Sequence, residues 1–282
     1  MRETLKKLRD ALIPIYGKGE SEAMIRIIFH HLKGWNTTDM VIHEPDELSP
    51  FVKQQIDEIL SRLLRFEPIQ YITGEARFHG MEFHVTPDVL IPRPETDELV
   101  DIIVNEAEDK ADLRVLDLCT GSGCIAIALA RSLRFPIVTA VDISDKAIEI
   151  TKENAKSLKA TINPIVADIF KWRPSGNFDI IVSNPPYIDE SEKTGMEDNV
   201  LKYEPSEALF VPDSNPLVFY DRIGDVAKES LNPGGKLYLE INPRHANELI
   251  QMLKDKGFID IESRLDSFGK ERFIICRQPE SY

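Results

Sequence analysis

The spacing of hydrophobic positions changes along this chain, and the change divides it. Through residues 1–66 apolar side chains recur at helical intervals: Leu5, Leu8, Leu12 and Ile15; Met24, Ile27 and Ile28; then Ile56, Ile59, Leu60, Leu63 and Leu64. Ser49-Pro50 supplies an N-cap and a first-turn proline for the last of these helices, and Pro68 closes the region. Phe78 and the alternating run Met81-Glu82-Phe83-His84-Val85 then flank His79-Gly80, which predicts a β-hairpin leading to Pro92 and Pro94. From Glu95 on, helical stretches alternate with β-rich runs at 113–118, 137–141, 162–167, 178–183 and 236–241, and two further runs follow at 258–263 and 271–277. The alternation predicts parallel βαβ crossovers. The last two runs are joined by a short turn at Gly269 with no room for a crossover helix, so one edge strand is expected to be antiparallel. The expected fold is α/β: a seven-stranded, mostly parallel Rossmann-like sheet, with an N-terminal helical domain and a hairpin connector. The corresponding partition is 1–75, 76–91 and 92–282.

Candidate chemistry gathers at the ends of the predicted strands. Residues 113–126 read as an apolar strand, a turn Cys119-Thr120-Gly121-Ser122-Gly123, and a small-residue helix start. Glycine permits the positive φ and close backbone approach of a nucleotide-type loop, and the helix N-terminus behind it offers unpaired N–H groups. Asp142, Asp168 with Phe170, and Asn184 each follow a later strand. In an open α/β sheet such positions converge on one crevice. There Asp142 could accept ribose hydroxyls and Asp168 an adenine amine, and Phe170 could stack on the base. Asp142 also reads as a helix-capping residue and Phe170 as a core aromatic. Asn184-Pro185-Pro186-Tyr187 leaves the strand at 178–183. Prolines carry no N–H, so carbonyls around them stay free to accept; an Asn carboxamide and a nearby Tyr ring complete a site for a planar group bearing –NH₂. A stiff turn is the bland reading of the same tetrapeptide.

The glycine spacing also satisfies a dinucleotide fingerprint, with Asp142 about 20 residues on, so an NAD-dependent oxidoreductase has to be weighed. Asp117 argues against it. A carboxylate two residues before the loop repels a pyrophosphate but can face the ammonium of S-adenosylmethionine, unless it only bonds nearby backbone.

Asp117-x-Cys119-Thr-Gly-Ser-Gly123, Asp142-Ile-Ser, Asn184-Pro-Pro-Tyr187 and Leu90-Ile-Pro-Arg-Pro-Glu-Thr96 together resemble the HemK-like protein glutamine methyltransferases that modify peptide-chain release factors. Gln70–Glu75, Phe78–Phe83, Tyr203-Glu-Pro205 and Leu231-x-Pro-Gly-Gly235 extend the similarity along nearly the whole chain. Cys119, where the family more often has glycine, and Asp213–Pro216 depart from its pattern. The resemblance implies S-adenosyl-L-methionine as cofactor and S-adenosyl-L-homocysteine as product. It implies binding through Cys119–Gly123, Asp142, Asp168, Phe170 and Asn184, and catalysis at Asn184, Pro185, Pro186 and Tyr187. It also implies methyl transfer to the glutamine of a Gly-Gly-Gln motif in a release factor by the methyltransferase domain, 92–282; the separate patterning of residues 1–75 and their position before the hairpin make them the expected docking domain. An exocyclic amine of RNA or DNA is the alternative acceptor, because Asn-Pro-Pro-Tyr alone is shared with enzymes acting on bases.

Composition narrows the partners. Net charge is −14; residues 1–90, with 11 basic and 14 acidic side chains, carry −3, leaving −11 for the remainder. Such a surface repels phosphate backbones, so direct nucleic-acid binding is not expected. Cys119, Cys124, Cys276 and the six histidines show no metal-ligand spacing, so no metal is expected. No apolar run suits a membrane span or a signal peptide, and a cytoplasmic monomer is expected. Arg93, Glu95 and Thr96 admit two readings, a lid over the cofactor or a simple helix start.

Overall fold

The computed structural model describes residues 1–280, and they group into two compact units: 1–74 with 197–203, and 75–196 with 204–280. The first unit holds helices α1 (Arg2–Lys33), α2 (Thr37–Ile42), α3 (Pro50–Leu63) and α4 (Ile69–Thr73). Gly17, at φ 73° and ψ 168°, breaks α1, a conformation glycine reaches without steric cost. The Ser49 hydroxyl caps α3 by accepting from the Val52 N–H at 3.3 Å, with Pro50 in the first turn. Leu5, Leu8, Leu12, Met24, Ile28, Ile56, Ile59, Leu60 and Leu63 are buried as expected. Ile15, Ile27 and Leu64 are exposed, and Ile25 and Phe29 fill the core instead. The run Met24–Phe29 has more apolar side chains than one helical face can bury, so its composition alone could not choose the inward ones.

The second unit opens with the hairpin β1 (Glu75–Phe78) and β2 (Met81–His84). His79 and Gly80 both have positive φ, 49° and 70°, which matches the right-handed twist of the flanking strands. Next come α5 (Pro94–Glu106), β3 (Arg114–Leu118), α6 (Cys124–Ser132), β4 (Ile137–Asp142), α7 (Asp145–Ser157), β5 (Ile162–Val166) and β6 (Phe178–Ser183). Two short strands, β7 (Ile188–Asp189) and β8 (Phe210–Val211), pair in parallel on either side of α8 (Asp198–Tyr203), which belongs to the first unit. The chain ends with α9 (Val218–Ser230), β9 (Leu231–Glu240), α10 (Ala246–Asp255), β10 (Ile259–Leu265) and β11 (Glu271–Arg277).

The seven-stranded sheet has the order β10-β11-β9-β6-β3-β4-β5. Strands β5, β4, β3, β6 and β9 are parallel. The expected antiparallel edge pairing is present between β10 and β11; β11 also pairs antiparallel with β9 and is the strand that runs against the rest. Alternate strand residues face opposite sides. Val115, Val138 and Val182 join α5, α6 and the hairpin residues Phe78 and Phe83 in one core layer, while Leu116, Val141 and Ile181 join α9 and α10 in the other. The strand order reverses at β3, so the crevice of such a sheet opens at the carboxyl ends of β3 and β6. Among the described residues no helix is long and apolar enough to cross a membrane.

Candidate active site

Leu118 and Ser183 are the last paired residues of β3 and β6, and the Ser183 hydroxyl donates to the Leu118 carbonyl at 2.7 Å. Cys119 and Asn184 are therefore the next residues out of neighbouring strands. The glycine turn and the Asn-Pro-Pro-Tyr turn are brought together by this register alone.

Beside them lies a cavity of about 400 Å³. Of the sequence-predicted residues, Cys119, Gly121, Asp142, Asp168, Phe170, Asn184 and Pro186 line it. Thr120 and Ser122 are buried and do not line it. Gly123 also stands outside the lining; a Cβ there would meet Thr151 Cγ2 at 2.8 Å, so glycine is needed for the packing of α6 against α7. Gly121, at φ 55°, has no protein atom within 4 Å of its missing Cβ, which leaves its backbone open to a ligand. Pro185 and Tyr187 are absent from the lining as well. Lining residues that sequence reasoning missed include Asp88–Leu90 after the hairpin, Pro205 and Glu207, and Phe219, whose ring meets Phe170 edge-on at 5.3 Å between centroids. The resemblance already marked Leu90 and Pro205; Phe219 gave no signal beyond an apolar residue at a helix start.

Hydrogen bonds fix the carboxylates. Asp142 accepts from the Gly121 N–H at 2.9 Å and from the Ser144 N–H at 3.0 Å, while the Ser144 hydroxyl caps α7. Burial pushes the Asp142 carboxyl above its ordinary value, although each oxygen keeps a lone pair for a hydroxyl donor. Asp168 accepts from the Phe170 N–H at 3.0 Å, which with Lys171 at 3.2 Å lowers its pKa. Asp117 is wholly buried under the loop. One of its oxygens accepts from the Thr120 hydroxyl (2.5 Å) and the Ala126 N–H (3.2 Å); the other has no protein partner, and burial pushes the carboxyl up to about 7. Burial also raises the Cys119 thiol, which stays neutral.

This donor set discriminates between cofactors. Asp88, Asp142, Asp168 and Glu207 line the cavity, and no lysine or arginine does. Lys146 and Lys171 pair with Asp88 and Asp168 from outside the lining, at 2.7 and 3.2 Å, so a pyrophosphate would meet four carboxylates with no cation on the cavity wall, whereas a sulfonium with an ammonium group finds the sign it needs. The residues present fit S-adenosylmethionine and do not fit NAD. Among the described residues, His79, Asp97 and Asp101 are close enough to share a metal ion, but none of them lines the cavity. The His79 ring is already held by Asp97 at 2.6 Å and Ser132 at 3.1 Å.

At the second turn, Tyr187 and Ile188 donate their N–H groups to the Leu209 carbonyl, at 3.2 and 2.9 Å. The Asn184 side-chain nitrogen donates to the Thr96 hydroxyl at 3.0 Å, and that hydroxyl donates to Glu240 Oε2 at 2.6 Å. The Tyr187 hydroxyl donates to Glu240 Oε1 at 2.9 Å. The Asn184 side-chain oxygen and the Pro185 carbonyl accept no hydrogen bond from the described residues. The segment at 93–96 is a helix start: Pro94 occupies the first turn of α5, and Arg93 reaches Glu204 Oε1 at 2.5 Å.

Comparison with known proteins agrees with this chemistry. Residues 3–74 match the family described as PrmC N-terminal domain, and residues 82–203 match Methyltransferase small domain. A release factor glutamine methyltransferase of Bacteroides thetaiotaomicron is 44% identical, the alignment covering 96% of this chain and 98% of the relative. One from Streptococcus pneumoniae is 37% identical over 92% of each. Among solved structures, a Pyrococcus furiosus methyltransferase aligns with a TM-score of 0.52 at 19% identity, covering 79% of this chain and 99% of that one. A Thermus thermophilus 16S rRNA N2 G1207 methyltransferase, in complex with AdoMet and guanosine, gives 0.53 at 22% identity, covering 72% and 49%. These two share the fold; the sequence relatives go further, and this chain belongs to the release factor glutamine methyltransferase family.

Proposed function

We infer that this enzyme transfers the methyl group of S-adenosyl-L-methionine to the side-chain amide nitrogen of the glutamine in the Gly-Gly-Gln motif of peptide-chain release factors. One observation carries the reading: the Asn184 side-chain nitrogen is engaged by Thr96, so its oxygen is left as a free acceptor beside the glycine turn. When bound, S-adenosylmethionine supplies an electrophilic methyl on sulfur. Asp142 would hold the ribose, Asp168 and Phe170 the base, and the turn Cys119–Gly123, which reaches the cavity through Cys119 and Gly121, the remainder, with the buried Asp117 beneath the turn supplying charge of the sign an ammonium needs.

An amide nitrogen is a weak nucleophile because its lone pair is delocalised into the carbonyl. The chain's contribution is to hold it in line with the methyl at near-contact distance. The Asn184 oxygen and Pro185 carbonyl accept its two hydrogens, Pro186 stiffens the turn, and Tyr187 packs on the amide plane. As the C–N bond forms, nitrogen becomes positive, and the same two oxygens stabilise that charge more than they stabilise the neutral amide. The acidified nitrogen then loses a proton to water, so no strong base is needed beforehand.

The enzyme is proposed to act as a monomer in the cytoplasm, where release factors work. A net charge of −14 and four lining carboxylates disfavour a nucleic-acid acceptor. The helical residues 1–75 dock the release factor. Their support is a hydrophobic pattern separate from the remainder and the exposed apolar side chains Val41, Ile42 and Phe51. Replacing those three by serine should raise KM for the factor and leave kcat unchanged. The defining test incubates the protein with labelled cofactor and a release factor. Label on the Gly-Gly-Gln glutamine, lost with Asn184→Ala, is the expected result; label elsewhere, or equal label with the variant, overturns the assignment.

A further inference from the structure

Asn184 serves an amide acceptor only one way round. The two ends of its carboxamide have nearly the same shape, yet only the oxygen can accept N–H groups. The orientation is decided by Thr96, whose hydroxyl lies 3.0 Å from Asn184 Nδ2 and 2.6 Å from Glu240 Oε2. A hydroxyl has a single hydrogen. While Glu240 is a carboxylate it can only accept, so that hydrogen goes to Oε2 and Thr96 turns a lone pair toward Asn184. A lone pair takes the –NH₂ end and repels the oxygen. We propose that Glu240 is a positioning residue for methyl transfer, its carboxylate acting through the Thr96 hydroxyl to keep the Asn184 oxygen turned toward the acceptor.

Burial makes the relay obligatory. Glu240 is 1% exposed and Thr96 2%, so bulk water cannot stand in for either partner. The other carboxylate oxygen holds the Tyr187 hydroxyl, and one ionised group therefore fixes both ends of the Asn-Pro-Pro-Tyr turn. Groups from several elements act on it. The Thr96 and Tyr187 hydroxyls and the Arg272 guanidinium favour its charge; burial, the larger influence, and Glu95 oppose it, so its pKa stands above the ordinary glutamate value. The Tyr220 hydroxyl donates to its backbone carbonyl at 3.0 Å. Protonation at Oε2 reverses the relay: Glu240 donates to Thr96, Thr96 donates to Asn184, and the –NH₂ end turns outward, donor against donor.

This rests on the reading of Asn184 given above, and the test separates the two. Methylation of a release factor is followed from pH 5 to 9 for the unaltered enzyme, Thr96→Val, Thr96→Ser and Glu240→Gln, with S-adenosylhomocysteine affinity measured in parallel. Thr96→Val keeps the shape and loses the hydroxyl, and kcat should fall on the order of tenfold to a hundredfold, the scale of a misplaced reacting group, with product affinity unchanged. Thr96→Ser should recover most of the rate. The unaltered enzyme should lose kcat on the acid side, and Glu240→Gln should be slow and lack that limb. Thr96→Val at the normal rate, Thr96→Ser as slow as Thr96→Val, or an acid limb kept by Glu240→Gln would overturn the positioning role. Failure of the unaltered enzyme to label the glutamine would instead overturn the functional reading.

Discussion

At the 119–123 turn, the groups available to a cofactor are supplied locally: Asp117 lies just before the loop, its bonds go to Thr120 and Ala126, and Asp142 ends the neighbouring strand. At the 184–187 turn the reactive-looking tetrapeptide is short, and what orients it comes from far away. Thr96 is 88 residues from Asn184, and Glu240 is 144 residues from Thr96. The first turn is a motif with its own supports. The second works only inside the finished fold, because α5 and β9 must both be in place before its carboxamide has a preferred orientation.

The largest effect expected from breaking the local design is at Asp117. Its folded pKa, about 7, lies above the ordinary carboxylate value. Between about 4 and 7 the folded protein therefore binds a proton that the unfolded chain does not. Stability of the cofactor-free protein should fall as pH rises through that window, by on the order of 4 kcal/mol, and level off above it. Asp117→Asn should make the slope shallower, leaving the part that Asp142 and Glu240 contribute through their own raised carboxyls, as thermal unfolding between pH 4 and 8 would show. At the distant design, Asn184→Ala should lower kcat about 10² to 10³-fold, the scale of losing one preorganised polar group, while S-adenosylhomocysteine still raises Tm.

Smaller effects sharpen the contrast. Gly123→Ala combines a positive φ of 80° with a 2.8 Å approach to Thr151 and should cost about 1–3 kcal/mol in chemical denaturation. Gly121→Ala has only the backbone cost, about 1–2 kcal/mol, but puts a methyl into the cavity, so its loss of product affinity should exceed its loss of stability. Phe170, a residue 43% exposed, is the mildest case. Phe170→Ala should weaken product binding roughly threefold to tenfold by calorimetry, the worth of one aromatic contact.

The sheet was legible because its buried strands read as apolar runs. The runs at 178–183 and 271–277 coincide with β6 and β11, while β9 begins earlier than expected, at Leu231, where its pairing with Phe178 is followed by an irregularity in the ladder. In the first unit the spacing put Ile15 and Ile27 inward; both lie exposed, because the break at Gly17 and the crowded run 24–29 let neighbouring side chains fill the core. Thr96 was visible as part of a motif, but nothing local distinguishes a buried hydroxyl relay from an ordinary first-turn threonine. Its partners lie in other elements.

The Leu209 carbonyl, which accepts from both Tyr187 and Ile188, ends a segment whose earlier members Pro205, Glu207 and Ala208 form part of the cavity wall. A single stretch of chain thus walls the cavity and ties down the 184–187 turn. Any displacement of that stretch by one ligand would be passed to the other turn, and thermodynamic reciprocity would then require the influence to run equally in the opposite direction.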